Sequence, residues 1–310
     1  MEVLYSESQP KDYNMREKWG ITMTRRNLNI TNSCHNDITT LITHGGIFHA
    51  DDVMATAILK LVYPDAELKR VFKVSEEELN DSETLVYDIG GGYFDHHQAD
   101  AALREDGNKH AAVGIVFEQF QTDLFPSQKY ADSFRDRYII PIEDADNGLS
   151  RNPLSSAISA FNCTFDITDP EEILAAFWDA VEFCTVILER EITRARKKYA
   201  AEKEVEAAVE AAKETSGSGV IVTLDHYLPT DLFIGSGAMF VVSPSMRGGY
   251  QLLTVKKEVG SLEDVLSLPE EWLTNKPEGC TFVHQARFIA SFDTKENAEK
   301  AAKLACWSVV

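Results

Sequence analysis

The chain has 310 residues, 44% of them hydrophobic and 26% charged, and its 16 Phe, 10 Tyr and 4 Trp exclude a solvated coil as the main state. That length fits two domains of ordinary size. Thirty Lys and Arg against 50 Asp and Glu leave a net charge of −20, which argues against gripping duplex nucleic acid by broad backbone neutralisation and fits a protein that collects cations.

Residues 1–38 are polar and mixed in charge, with Glu2, Glu7, Asp12 and Glu17 against Lys11, Arg16, Lys18, Arg25 and Arg26. They lack the apolar stretch of a secretion signal, and their acids fit poorly with a mitochondrial presequence. We expect a weakly ordered extension without chemistry, with Met23 as an alternative start. Residues 37–43 are a short β-rich run, followed by the loop His44-Gly-Gly-Ile-Phe-His49-Ala-Asp51-Asp52. Met54, Ile58, Leu61 and Val62 then follow helical spacing over residues 53–63, with Asp51 or Asp52 where an N-cap belongs. Residues 84–89 predict a second strand, closed by three glycines, and residues 111–121 and 127–138 predict helices. Strand and helix alternate, so the expected class is α/β with a mostly parallel sheet.

Asp169-Pro170-Glu171-Glu172 starts a helix that runs to about residue 214, its second half rich in Ala, Glu and Lys. Ser216-Gly-Ser-Gly219 ends it. Strands are predicted over residues 220–224, 238–242 and 250–255, and a closing helix over 294–305. The expected organisation is an extension (1–38), a metal-binding catalytic domain (39–168), a helical connector (169–218) and a smaller α+β substrate-binding domain (219–310). No apolar run approaches the ~20 residues a membrane span needs. The five cysteines, Cys34, Cys163, Cys184, Cys280 and Cys306, form no CxxC pair, and such a dispersed odd set reads as reduced thiols in a cytoplasm. None neighbours a His or Asp in a motif, which argues against a cysteine nucleophile.

Five of the eight histidines fall between residues 44 and 110, interleaved with acids at predicted element ends. His44, His49, Asp51 and Asp52 form one group. Asp88 ends its strand, Asp95-His96-His97 follows, and Glu143-Asp144-Ala-Asp146-Asn-Gly148 marks a helix exit. In a parallel sheet such groups gather at the carboxyl ends of strands. Mixed imidazole and carboxylate donors suit Mn²⁺, Fe²⁺ or Zn²⁺, and the share of oxygen favours Mn²⁺. There are too many donors for one tetrahedral ion, whereas two ions ~3.5–4 Å apart sharing a carboxylate would use them all. His35, His110 and His226, each alone, read as ordinary surface histidines.

Asp95-His96-His97 resembles the signature of the DHH phosphoesterase superfamily, which includes RecJ-type exonucleases and manganese pyrophosphatases. Thr43-His-Gly-Gly-Ile-Phe-His-Ala-Asp51, Val86-Tyr-Asp-Ile-Gly-Gly91, Phe94-Asp-His-His-Gln98 and Asp146-Asn-Gly148 resemble more closely the melanocyte-proliferating-gene family of metal-dependent hydrolases and 3′→5′ RNA exonucleases. Arg247-Gly-Gly-Tyr250, Leu268-Pro-Glu-Glu-Trp272, Gly279-Cys-Thr-Phe-Val-His284 and Phe288-Ile289 extend the resemblance to about residues 40–305. It implies a DHH-like fold and two divalent ions, Mn²⁺ foremost. His44, His49 and Asp88 would hold one ion; Asp51, Asp88, His96 and Asp146 would hold the other, with Asp88 bridging and His97 on the phosphate. His49 stands where the wider superfamily has Asp, a feature the closer family shares. Glu143 stands where family members more often carry Asp, which leaves open whether Glu143, Asp144 or Asp146 reaches the metal.

The reading preferred from the sequence is a metal-dependent phosphodiesterase, a 3′→5′ exonuclease on short RNA. Asp88 and His97 would be catalytic, and His97, Arg247, His284 and Arg287 would contact substrate. Hydrolysis of a small phosphate compound, pyrophosphate or a dinucleotide, is the alternative within enzymes. A non-catalytic, metal-stabilised interaction protein that uses the helix around 194–213 is the alternative outside them. The expected partners are short single-stranded RNA or a small phosphate substrate and no membrane, with a homo-oligomer left open. The net charge favours a short strand entering end-first, because a long polynucleotide would be repelled.

Overall fold

A computed structural model describes residues 5–6, 37–99, 101–216 and 218–307. Met23, Cys34 and His35 lie outside the described residues. Two compact units, Met1–Arg196 and Lys197–Val310, divide the chain.

The first unit is built on a βαβ unit. Strand β2 (Thr40–His44) leads through helix α1 (Ala50–Val62) to β3 (Glu67–Val71), which pairs with β2 in parallel. Strand β4 (Thr84–Val86) pairs in parallel on the other side of β2, after the short helix α2 (Glu76–Asn80). The sheet order is β1-β3-β2-β4, with β1 (Tyr5–Ser6) antiparallel to β3 at the edge. The extension therefore contributes an edge strand, where the sequence gives only a polar stretch. The central strand β2 buries apolar residues on both faces, as in a sheet covered on both sides. Leu41, Leu68 and Leu85 enter the main core; Ile42, Val71 and Val86 form a small second one with Val74 and Leu79.

Helix α3 (Ala112–Leu124) packs beside α1, and both place apolar stripes in the main core. Next come α4 (Gln128–Phe134), a π-helical turn (Arg135–Ile139) and α5 (Ile140–Asp146) in unbroken succession. The helix predicted to end at residue 138 thus continues to Asp146. Pro141 reads as a stop signal in sequence, since it cannot donate a backbone hydrogen bond. Here it falls in the first turn of α5, just after the π-turn, where the missing N–H does no harm. A short helix α6 (Pro153–Ser159) follows.

Helix α7 (Pro170–Ser216) contains the boundary between the units. Phe177, Val181, Cys184, Leu188, Ile192 and Ala195 recur every three or four residues and are buried in the first unit's core. Val205 and Val209 belong to a core of the second unit. That unit holds a mixed five-stranded sheet of order β5-β6-β7-β9-β8. Its strands are β5 (Ile221–Thr223), β6 (Phe240–Pro244), β7 (Tyr250–Thr254), β8 (Cys280–Val283) and β9 (Ile289–Phe292). Phe240, Val242 and Leu252 face helix α8 (Lys295–Trp307), while Val241 and Leu253 turn to the opposite core with Val205 and Val209, the alternation of a two-faced strand. The fold class expected from sequence, α/β with a parallel first sheet and a smaller α+β second unit, is the one observed.

Candidate metal centre

The site lies at the carboxyl edge of the first sheet, where parallel strands deliver their last residues. His44 ends β2. Asp88 follows β4 by two residues and is fixed there by the backbone: Tyr87 N–H donates to the Ile42 carbonyl (2.9 Å), and Asp88 N–H to the Phe94 carbonyl (3.1 Å). Its φ is 57°, the left-handed region that is strained for a non-glycine residue and recurs at functional sites. Asp51 and Asp52 come from the first turn of α1, Asp146 from the last turn of α5, and His96 and His97 from the loop after Phe94.

Asp88 stands at the centre. Its Oδ1 is 3.2 Å from His96 Nε2 and its Oδ2 3.4 Å from His44 Nε2. His44 Nε2 is also 3.3 Å from Asp52 Oδ2. His96 Nε2 is 3.6 Å from Asp51 Oδ2 and 3.4 Å from Asp146 Oδ2. Three donor groups result, each with atoms close enough to share an ion: His44, Asp52 and Asp88; Asp51, His96 and Asp146; and Asp88, His96 and His97. His44 Nδ1 donates to the Gly45 carbonyl (3.1 Å), which leaves Nε2 facing the carboxylates, as a metal-bound imidazole requires. A bare lone pair would be repelled there, so a proton or a cation must stand between. The donor set therefore fits divalent metal. His44, Asp88, His96, His97 and Asp146 line a cleft of about 770 Å³, whereas Asp51 and Asp52 are fully buried.

Electrostatics point the same way. Burial, with the charges of Asp88 and Asp146, pushes the Asp51 carboxyl well above its usual range. Asp146 is raised by burial and by Asp88, against the pull of His96. Asp52 is pushed up to about 6 by burial, against the pull of His44 and Arg70. Burial would lower His44, but its hydrogen bond to Asp88 and the charge of Asp52 lift it to about 9. Burial would likewise raise Asp88, yet the two imidazoles hold it at about 2. Without an ion, burial and mutual repulsion favour the protonated forms of Asp51 and Asp146; a cation removes that need.

Asp51 and Asp52 differ from the expected cap. The N-cap of α1 is His49, whose N–H donates to Asp52 Oδ1 (2.8 Å) from the third helical position. Asp51 instead accepts the N–H groups of Ala112 (3.1 Å) and Val113 (2.7 Å), the first amides of α3. His49 is exposed and lines the cleft, its ring 5.7 Å from that of His44, outside the tight donor groups. Of the three acids left open, Asp146 reaches the cluster. Glu143 accepts instead from His110 Nδ1 (2.8 Å), Ala111 N–H (3.0 Å) and Arg104 (3.3 Å), and Asp144 from Arg104 (2.6 Å). His110 is therefore a buried partner of Glu143, correcting its reading as a surface residue. His226 is exposed, 3.3 Å from Glu204.

Asp95, whose place in the motif gives it no role of its own, closes the loop. Its carboxylate accepts from the N–H groups of Gly91 (2.7 Å), His96 (2.7 Å) and His97 (3.1 Å), and from His97 Nδ1 (2.7 Å). The loop is thereby closed and His97 is left with Nε2 as its outward nitrogen. Within the second unit, Arg247 lies in the β6–β7 turn, beside the end where Tyr250 pairs with Phe292. His284 and Arg287 lie in the β8–β9 turn, near the opposite end where Leu253 pairs with Ile289. The sheet does not bring Arg247 together with the other two. Arg287 Nη1 donates to the Leu268 carbonyl (3.2 Å), and His284 Nδ1 accepts from Ala286 N–H (3.0 Å).

Residues 40–306 match the model of an uncharacterised protein family, UPF0160, whose short name is MYG1_exonuc. The chain belongs to this family. The resemblance read from the motifs is thus borne out over nearly the same span. A "MYG1 protein" of Dictyostelium discoideum is 26% identical over 310 residues, spanning 84% of this chain and 94% of its own length. A "MYG1 exonuclease" of Homo sapiens is 25% identical over 320 residues, spanning 84% of each chain. The solved RecJ of Thermus thermophilus in complex with Mg²⁺ overlaps 87% of this chain and 49% of its own, with a TM-score of 0.26 and 13% identity, too slight a likeness to build on. Among the described residues no helix is long and apolar enough to cross a membrane.

Proposed function

We propose that this chain is a metal-dependent phosphodiesterase, a 3′→5′ exonuclease on short single-stranded RNA, with two divalent ions, Mn²⁺ foremost, at the carboxyl edge of the first sheet. The observation that carries the reading is Asp88, whose two oxygens face two different imidazoles, each with further carboxylates beside it. Relatives named as exonucleases support the same reaction class. When bound, the ions would acidify a water and polarise the phosphate.

The residues' own roles follow from their places. Asp88, with one oxygen toward His44 and one toward His96, would contribute to both positions. Asp52 joins His44 at one, and Asp51, His96 and Asp146 form the other, with His49 at the margin. Asp95 holds His97 Nδ1 at 2.7 Å, so His97 offers Nε2 to a phosphate oxygen and meets the charge that develops there. Arg247, His284 and Arg287 contact the strand from two separate turns of the second unit. The four described cysteines are unpaired, which fits a reducing cytoplasm.

The test is degradation of a short single-stranded RNA, labelled at one end and then the other, with Mn²⁺ and with EDTA. A ladder of single-nucleotide steps from the 3′ end, abolished by EDTA, is expected. Release of inorganic phosphate from pyrophosphate, with RNA left whole, would replace this substrate with the small-phosphate alternative. Bound metal without hydrolysis of either would leave the non-catalytic reading.

A further inference from the structure

The two ion positions differ in their neighbours. Arg70, on β3, is 2% exposed. Its Nη2 lies 3.3 Å from Asp52 Oδ2, and its Nη1 donates to the Gly46 carbonyl at 3.2 Å. Its guanidinium carbon stands 4.1 Å over the Phe177 ring. Carbonyl, ring and carboxylate together fix a permanent positive charge beside the His44 and Asp52 position. Asp52 thus divides its charge. Oδ1 takes the His49 N–H, and Oδ2 is shared between Arg70 and the side facing His44.

The other position is different. Among the described residues no Lys or Arg forms an ion pair with Asp51, Asp88 or Asp146. The amides of Ala112 and Val113 bring Asp51 only the dipoles of a helix end. The first position therefore has Asp52 offset by Arg70 and a share of Asp88. The second has two uncancelled carboxylates as well as its share of Asp88.

We propose that Arg70 makes the two positions unequal. The one formed by Asp51, His96 and Asp146 holds its divalent ion unaided, and the one formed by His44, Asp52 and Asp88 fills tightly only when an anionic phosphate joins it. The inference rests on the two-ion reading above and adds an order of loading to it. A phosphate restores at the first position the negative charge that Arg70 removes. By reciprocity, occupancy of that position then tightens phosphate binding by the same factor. Arg70 does not line the cleft; it acts through Asp52 as a positioning residue.

The test is Mn²⁺ titration of the metal-stripped full chain, reading free ion by its paramagnetic resonance signal, with and without inorganic phosphate. One tight ion and a second at least about tenfold weaker are expected, with phosphate tightening only the second. Arg70→Met, close in volume and uncharged, should bring the two within about threefold of each other, while Arg70→Lys keeps the gap. Two equal ions in the unaltered chain, or a gap unmoved by Arg70→Met, would overturn the proposal. If Arg70→Met fails to fold, Asp52→Asn decides. Loss of the weak ion alone supports the assignment, and loss of the tight ion overturns it. Binding of no ion removes the two-ion reading itself, a result distinct from two equal ions.

Discussion

Asp88 carries two demands at once, a left-handed backbone with φ of 57° and a carboxylate shared between His44 and His96. Asp88→Ala keeps the strain and loses the bridge. Both Mn²⁺ retention and RNA cleavage should disappear, and retained activity would remove the bridging role. His97→Ala should retain metal while lowering turnover by about 10²-fold or more; loss of bound Mn²⁺ in that variant would make His97 a ligand instead. His110 offers a prediction on pH. Burial lowers its pKa, but the hydrogen bond and charge of Glu143 outweigh this, so the group sits above its ordinary 6.5. A raised folded value means that its stabilisation is complete below 6.5 and is lost as pH rises through the folded value. The melting-temperature penalty of His110→Gln, measured with EDTA present, should therefore be largest near about pH 6 and shrink toward alkaline pH. A constant penalty contradicts that. His44, Asp88 and His96 were legible as candidates because each sits in a short motif at an element end, and Asp146 was one of three neighbouring acids left open. Asp52 was grouped with His44 in the same motif, but its pairing with Arg70 was not legible, because it joins α1 to β3 and no local pattern announces it.

Helix α3 begins against two carboxylates supplied from elsewhere, Glu143 on the Ala111 amide and Asp51 on those of Ala112 and Val113. Gly114, in its first turn, is there for space, since a Cβ would collide with Glu143 Oε1. Gly114→Ala is otherwise favourable to a helix by about 1 kcal/mol. The clash should nonetheless destabilise the chain by about 1–3 kcal/mol, read as a lower thermal midpoint; a midpoint that rises would mean that Glu143 yields without loss. The start of α3 was legible in sequence, whereas this reason for its glycine was not. The continuation through Pro141 to Asp146 was hidden for a different reason: a proline is read as an ending, and only the preceding π-turn makes it a beginning. Strands β8 and β9 escaped because each is only four residues long, so alternation had little room to show.

At the scale of the whole molecule, charge and site pull in opposite directions. A net charge of −20 repels a polyanion, while the proposed ions attract one end of it. Repulsion between separated surface charges is screened by salt, and contacts in a buried site are screened much less. Cleavage of a long RNA should therefore speed up as ionic strength rises from low values, while that of a trinucleotide changes little. The familiar fall of nucleic-acid affinity with salt, seen for both lengths, would show that a basic surface does the binding instead. The α/β class was legible from the alternation of strand and helix.

The donors of the proposed centre run from His44 to Asp146, through β2, α1, the loop after β4 and the end of α5. An ion bound there ties together segments that an unfolded chain lets drift apart. Ligands that bind only the folded chain stabilise it by about 4 kcal/mol at a thousandfold excess over the dissociation constant. Metal supply would then govern how long each molecule survives proteolysis as well as how fast it works, so a cell short of the ion would lose the protein along with its activity.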